Sequence, residues 1–240
     1  MKLSDFAYSL PNKLIARFPL PSRSASRLLC LDRGLRSIEH KVFSDLSKIL
    51  KPNDLLICNN SKVIFARLFG IKSTGGKVEI LVERILDEHK FLAQIKASKS
   101  PKIGSKIIVN AGSPHFVEVL GREDNLYVLA CISSVWQLID ECGEIPLPPY
   151  FNRSPIESDK VRYQTVYAKE KGSIAAPTAG LHFDEKLLAN LKQKGIDVDF
   201  VTLHVGSGTF APVRVENIAD HTMHAEYGVV SENLCTKILA

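Results

Sequence analysis

No stretch of the sequence approaches the roughly 18 uninterrupted apolar residues of a membrane-spanning helix. Met1 to Leu10 also lacks the basic and then apolar layout of a secretory signal. A cytoplasmic protein with no membrane partner is the expectation. The five cysteines, Cys30, Cys58, Cys131, Cys142 and Cys235, are odd in number, irregularly spaced and without a C-x-x-C pair, so neither a disulfide framework nor a cysteine zinc knuckle is signalled. Cys58 and Cys131 sit inside apolar runs, where a thiol packs as a small hydrophobe. The bias of a disordered, collagen-like or coiled-coil chain is missing as well. What remains is 240 residues, 45% hydrophobic and 24% charged with a net charge of +5, ample for a packed core in one large or two small domains.

Phe18-Pro19-Leu20-Pro21 is excluded from a helix interior and reads as an extended arm. Arg27 to Asp32 and Asp54 to Cys58 are predicted strands, and Ser44 to Leu50 a helix capped by Ser44. Short β-rich runs then follow at Val63 to Ile71, Lys77 to Ile85, Lys90 to Ala97, Lys106 to Val109, Phe116 to Leu120 and Leu126 to Ile132, with turns at Gly75-Gly76 and Gly121 to Asn125. A helix capped by Ser133-Ser134 runs through Asp140, and Pro146, Pro148, Pro149 and Pro155 punctuate a linker. Asp184 caps a helix over Glu185 to Lys194 that Gly195 stops, Ile196 to Val205 is a strand, and Ser231-Glu232 opens a last helix through Leu239. The predicted architecture is α/β, a larger α/β domain (1–60 and 151–240) with an inserted all-β, barrel-like domain (61–150).

Between Lys62 and Asn110 ten bases face four acids, which suits a nucleic-acid backbone and equally a solvated face with edge-strand lysines. The Gly206-Ser207-Gly208-Thr209 loop follows a strand, so its amides are candidates to converge on an anion, or to form a plain tight turn. It has no third glycine and no Walker lysine, which excludes the dinucleotide and triphosphate fingerprints. His182, His204, His221 and His224 crowd the last sixty residues, with Glu226 beside the final pair. The spacing His221-x-x-His224-x-Glu226 admits metal ligation, and it admits proton transfer near neutral pH just as well. Gly172 to Phe183 is rich in small residues, as a pocket wall would be, and Arg162-Tyr163-Gln164 combines a cation, a ring and an amide suited to a heterocycle or to a half-buried strand.

Several long words together resemble one family, the S-adenosylmethionine:tRNA ribosyltransferase-isomerases of queuosine biosynthesis. They are Leu10 to Leu29 (LPNKLIARFPLPSRSASRLL), Asp54 to Gly70 (DLLICNNSKVIFARLFG), Gly143 to Tyr150 (GEIPLPPY), Asp159 to Ala168 (DKVRYQTVYA), Gly172 to Phe183 (GSIAAPTAGLHF), Thr202 to Val213 (TLHVGSGTFAPV) and His221 to Glu226 (HTMHAE). The resemblance implies transfer and isomerisation of the ribosyl group of S-adenosylmethionine onto the 7-aminomethyl-7-deazaguanine at the tRNA wobble position. Epoxyqueuosine forms, and adenine and methionine leave. It implies S-adenosylmethionine as substrate rather than cofactor, no metal and tRNA as partner; a monomer is the expectation.

On that resemblance His182, His204, His221, His224 and Glu226 are the expected acid–base and orienting groups, with their roles undivided. Gly206, Ser207, Gly208 and Thr209 are expected to hold S-adenosylmethionine. Arg162, Tyr163 and Gln164 would meet a base, and Thr178 and Gly180 would line the substrate site. Ser207 stands where the family has alanine, and Asn59-Asn60-Ser61 replaces Asn-Asp-Thr. The family's T-S-V-R and N-F-H-L-P words are absent, so a truncated chain is expected. The competing readings are an inactive tRNA-binding remnant and a metal-dependent hydrolase using His221, His224 and Glu226.

Overall fold

The computed structural model describes residues 1–110 and 114–239. The chain opens with an irregular arm and a hairpin, β1 (Arg27–Asp32) with β2 (Ser37–Val42), turned at Arg36 with φ +50°. The helix expected from Ser44 is shorter: a 3₁₀ turn over Phe43–Asp45 precedes α1 (Leu46–Ile49). Asp45 is the residue that closes this turn, because its carboxylate reaches back to the Val42 amide at 3.1 Å. The strand β3 (Leu55–Asn59) and the short β4 (Ser61–Val63) follow.

From there the chain enters a closed antiparallel barrel of β5 (Arg67–Lys72), β6 (Lys77–Ile85), β7 (Lys90–Ala97), β8 (Lys106–Asn110), β9 (Pro114–Glu123) and β10 (Leu126–Cys131), in the order β10-β7-β6-β5-β8-β9. The run Val63 to Ile71 is thus two strands, broken where Ala66 donates to Ile64 and the chain changes sheets. Gly75, at φ +82°, makes the hairpin turn as the sequence requires. The expected turn at Gly121 to Asn125 is narrower, since β9 continues to Glu123 through an irregularity and Asp124, at φ +51°, and Asn125 carry the reversal. Alternation fills the barrel: Leu68, Ile80, Val82, Ile107, Val117 and Leu129 point inward and are fully buried or nearly so. Each such side chain contributes about 2 kcal/mol relative to exposure.

Helix α2 (Val135–Cys142), capped by Ser134 Oγ on the Gln137 amide, adds Val135, Leu138 and Ile139 to that core. Gly143 ends it with Phe65 so close that a Cβ would lie 2.0 Å from the Phe65 carbonyl oxygen. The proline-rich stretch after it is packed rather than solvated. Ile145 and Leu147 join Val63, Tyr163 and Ala176 in a second core, and buried prolines leave no amide donor unpaired.

The chain returns through α3 (Asp159–Arg162) and β11 (Glu170–Ser173), which pairs parallel with β4. Helix α4 (Glu185–Gln193) is capped by Asp184 on the Leu187 amide at 2.8 Å, a contact worth about 1 kcal/mol. Its Leu187 and Leu191 pack on Phe43, Phe183 and Ile196, and Gly195 takes φ +76° at its end. Strand β12 (Asp197–His204) lies parallel to β3 and antiparallel to β13 (Tyr227–Val229), and α5 (Glu232–Leu239) follows. The fold is therefore mixed α/β around a closed six-stranded barrel. Strands β2, β11 and β13 carry no clear alternation in the sequence and were not foreseen. No helix among the described residues is long and apolar enough to cross a membrane.

Candidate active site

A cavity of about 710 Å³ lies between the outer wall of the barrel at β6 and β7 and the carboxyl end of β12. In open α/β sheets the carboxyl ends of parallel strands are where ligands bind, because the loops that leave them diverge and leave a crevice. The end of β12 is fixed by the Asn59-Asn60-Ser61 word. Asn59 spans the Leu203 backbone, donating to its carbonyl at 2.8 Å and accepting from its amide at 3.1 Å, while Asn60 Oδ1 accepts from Thr202 Oγ1 at 2.7 Å. Buried Ser173 of β11 accepts the Val205 amide at 3.0 Å.

His204, the last residue of β12, stands at the cavity wall. Its ring lies parallel to that of Tyr227, with centroids 6.1 Å apart and planes 8° apart. The ring also lies against Gly172, where a Cβ would come within 2.7 Å of it; Gly172 itself sits at φ +150°. The His204 Nδ1 atom is buried without a hydrogen-bond partner among the described residues. Burial lowers the His204 pKa from the usual imidazole value, with Glu170 opposing, which keeps the ring neutral at neutral pH.

The glycine loop turns immediately after His204. Of the two alternatives that the spacing left open, the structure favours the turn over the anion cradle, since two of the loop's amides are taken by carboxylates: Gly206 donates to Glu226 Oε1 at 3.2 Å and Ser207 donates to Glu83 Oε2 at 3.4 Å. The Ser207 hydroxyl donates to Glu83 and accepts from Gln94 Nε2 at 2.8 Å. Alanine at this position would lack both bonds. His224 packs on Gly208 so tightly that a Cβ there would lie 2.4 Å from the ring, and its Nε2 is 3.4 Å from Glu226 Oε1.

Of the residues singled out in the sequence, His204, Gly206, Ser207, Gly208, His224 and Glu226 thus line one cavity. The others lie elsewhere. Thr209 is exposed in the 3₁₀ turn Ser207–Phe210, and His221 is half-buried beyond the turn Ile218–Asp220. His182 bonds Ser26 Oγ at 2.9 Å and rests on Phe43, and its pKa is lowered by burial and then by Arg23. Thr178 and Gly180 form the turn Thr178–His182, in which Gly180 is glycine because the Tyr167 hydroxyl is 2.4 Å from where its Cβ would stand.

Gln164 completes the edge of β4 by bonding both the amide and the carbonyl of Val63, at 2.9 and 2.7 Å. Arg162 donates to the Leu20 and Pro21 carbonyls at 2.7 and 3.0 Å and so fastens the amino-terminal arm. Arg162 and buried Tyr163 line a separate cavity of about 140 Å³ under that arm. Among the described residues no three His, Cys, Asp or Glu side chains converge as a metal-ligand set, so His221, His224 and Glu226 do not form one.

Glu83, Gln94, Lys171 and Tyr227 line the cavity or bond its loop and carry no signal in the sequence, being single polar or aromatic residues in strand-like runs. Lys171 lies 5.4 Å from the Trp136 ring centroid and 3.4 Å from Asp140.

Two comparisons relate the chain to known proteins. A family model described as queuosine biosynthesis protein matches residues 3–240. Among solved structures, the chain is similar to the crystal structure of an S-adenosylmethionine tRNA ribosyltransferase from Thermotoga maritima, with 28% sequence identity and a TM-score of 0.41. That match covers 98% of this chain and 64% of the other, so the chain spans just under two thirds of its neighbour's length.

Proposed function

The chain belongs to the queuosine biosynthesis protein family, and from that premise we propose that it transfers and isomerises the ribosyl group of S-adenosylmethionine onto the aminomethyl group of a 7-deazaguanine at the tRNA wobble position. Adenine and methionine are the leaving products, and the reaction makes epoxyqueuosine. The observation that carries the reading is the His204 imidazole, kept neutral by burial, at the wall of a cavity large enough for a nucleoside.

The chemistry needs a base for a ribose C5′ proton that the sulfonium acidifies, a donor for adenine, and exclusion of water. His204 is the proposed base, its ring held against Tyr227 and Gly172. His224, beside Glu226, is the proposed donor to adenine. The glycine loop and Trp136 supply walls of the cavity. The tRNA backbone is proposed to meet the barrel end that carries Lys77, Lys96, Lys99, Lys102 and Lys106, which are exposed and make no ion pair among the described residues.

Incubating the chain with S-adenosylmethionine and tRNA bearing the aminomethyl-deazaguanine tests the reading, with adenine followed by chromatography and the nucleoside by mass spectrometry. Adenine and epoxy-nucleoside are expected in equal amounts, and replacing His204 with Gln should abolish both. Absence of both products from a folded chain that binds tRNA would sink the transferase reading and leave a tRNA-binding chain without turnover.

A further inference from the structure

Strand β6 carries an irregularity between Val82, opposite Ala93, and Arg84, opposite Leu92. A bulge leaves one residue outside the ladder and re-aims its side chain, and here that residue is Glu83, which faces the cavity. Every partner of its carboxylate is a donor: the Ser207 hydroxyl, the Ser207 amide at 3.4 Å and Gln94 Nε2 at 2.8 Å. With Glu226 on the Gly206 amide at 3.2 Å, the loop that would otherwise cradle an anion presents negative charge instead. Of the lysine and arginine that line the cavity, Lys171 is 3.4 Å from Asp140 and Arg84 is exposed.

We propose that Glu83 is the residue by which this cavity selects a sulfonium over a neutral thioether, placing a carboxylate beside the positive sulfur of S-adenosylmethionine. The proposal rests on the reading of the cavity as the S-adenosylmethionine site. It also accounts for product release, because the sulfur loses its charge when its bond to C5′ breaks and methionine departs as an uncharged thioether.

The test is calorimetric titration of the full chain with S-adenosylmethionine and with S-adenosylhomocysteine, which keeps the nucleoside and amino acid but has no charge on sulfur. A carboxylate at contact distance in a half-exposed crevice favours the cation by about ten-fold or more. Wild type should show that preference, and E83Q should reduce it to within about three-fold. Q94K, which sets an ammonium beside Glu83 from an exposed position, should reduce it likewise and serves if E83Q does not melt cooperatively. Equal affinities in wild type, or a preference that survives in a folded variant, would overturn the role of Glu83. Binding of neither ligand by folded wild type would overturn the S-adenosylmethionine reading itself, and the proposal with it.

Discussion

Gly172→Ala is the sharpest perturbation the site offers. Two costs add at this position. A φ of +150° is close to glycine-only, so an L side chain there stores about 1–3 kcal/mol of backbone strain. The new methyl would also stand 2.7 Å from His204 Cε1 and Nδ1, against about 3.5–4 Å for a relaxed contact, so the ring must retreat by roughly 1 Å. No hydrogen bond at Nδ1 among the described residues holds the ring. A misplacement of that size in a reacting group costs up to about 100-fold in rate.

The expected outcome is a loss of about 1–3 kcal/mol in a urea titration. Adenine release should fall about 100-fold in kcat with KM little changed. In a His204→Gln background the same substitution should add almost nothing to the activity loss, since the group it displaces is already gone. Turnover within three-fold of wild type would refute the assignment of His204, and unchanged stability would refute the strain argument.

Asp159 forms a two-pronged ion pair with Arg153, at 2.6 and 2.8 Å, with side chains 4% and 11% exposed. Asp159→Asn should destabilise the chain by about 3 kcal/mol, because Arg153 is left buried without its counter-charge; a denaturant midpoint within error of wild type would contradict this. His182 and His204 are both held below the ordinary value of 6.5 chiefly by burial. As pH falls below 6.5 the unfolded chain takes up protons that the folded chain refuses, so stability should decline through that window and level off below the folded values. A H182Q/H204Q double variant should flatten the decline, as urea midpoints at several pH values would show. Arg162→Ala combined with Arg153→Ala, which together remove the bonds to Leu20, Pro21 and Arg17, should raise the rate of tryptic cleavage in the arm at least about ten-fold, and an unchanged rate would contradict this.

The strands of the barrel were legible because each is a short apolar run bounded by polar residues, alternating in β6 and opening on the contiguous Phe91-Leu92-Ala93 in β7. Caps were legible for a local reason: Ser134 and Asp184 each answer an amide three residues on. Strand β13 was not, since Tyr227–Val229 is exposed along its length and exists only as a partner of β12. The proline stretch misled because proline is common in loops. Its burial at Ile145 and Leu147 depends on Val63 and Tyr163, which are remote in sequence.

At the site, small residues proved ambiguous in an instructive way. Gly172 to Phe183 reads as a pocket wall because small residues let something come close, but the sequence does not say what. Gly172 admits the His204 ring at the cavity, whereas Gly180 admits the Tyr167 hydroxyl away from it. Arg162 and Gln164 show the same ambiguity for polar groups, because a guanidinium and an amide suited to a heterocycle are satisfied just as well by the carbonyls of Leu20, Pro21 and Val63. Glu83 is the opposite case. In KVEILVERI its spacing places it outward on a strand, and only the irregular pairing of Val82 with Ala93 and Arg84 with Leu92, set by the closed barrel, turns that outward position onto the glycine loop. The loop then draws its partners from both sides, Glu83 from the barrel and Glu226 from the segment before β13. Neither half of the molecule holds the loop by itself, and a site defined by contacts this remote is visible only once the barrel is closed against β12.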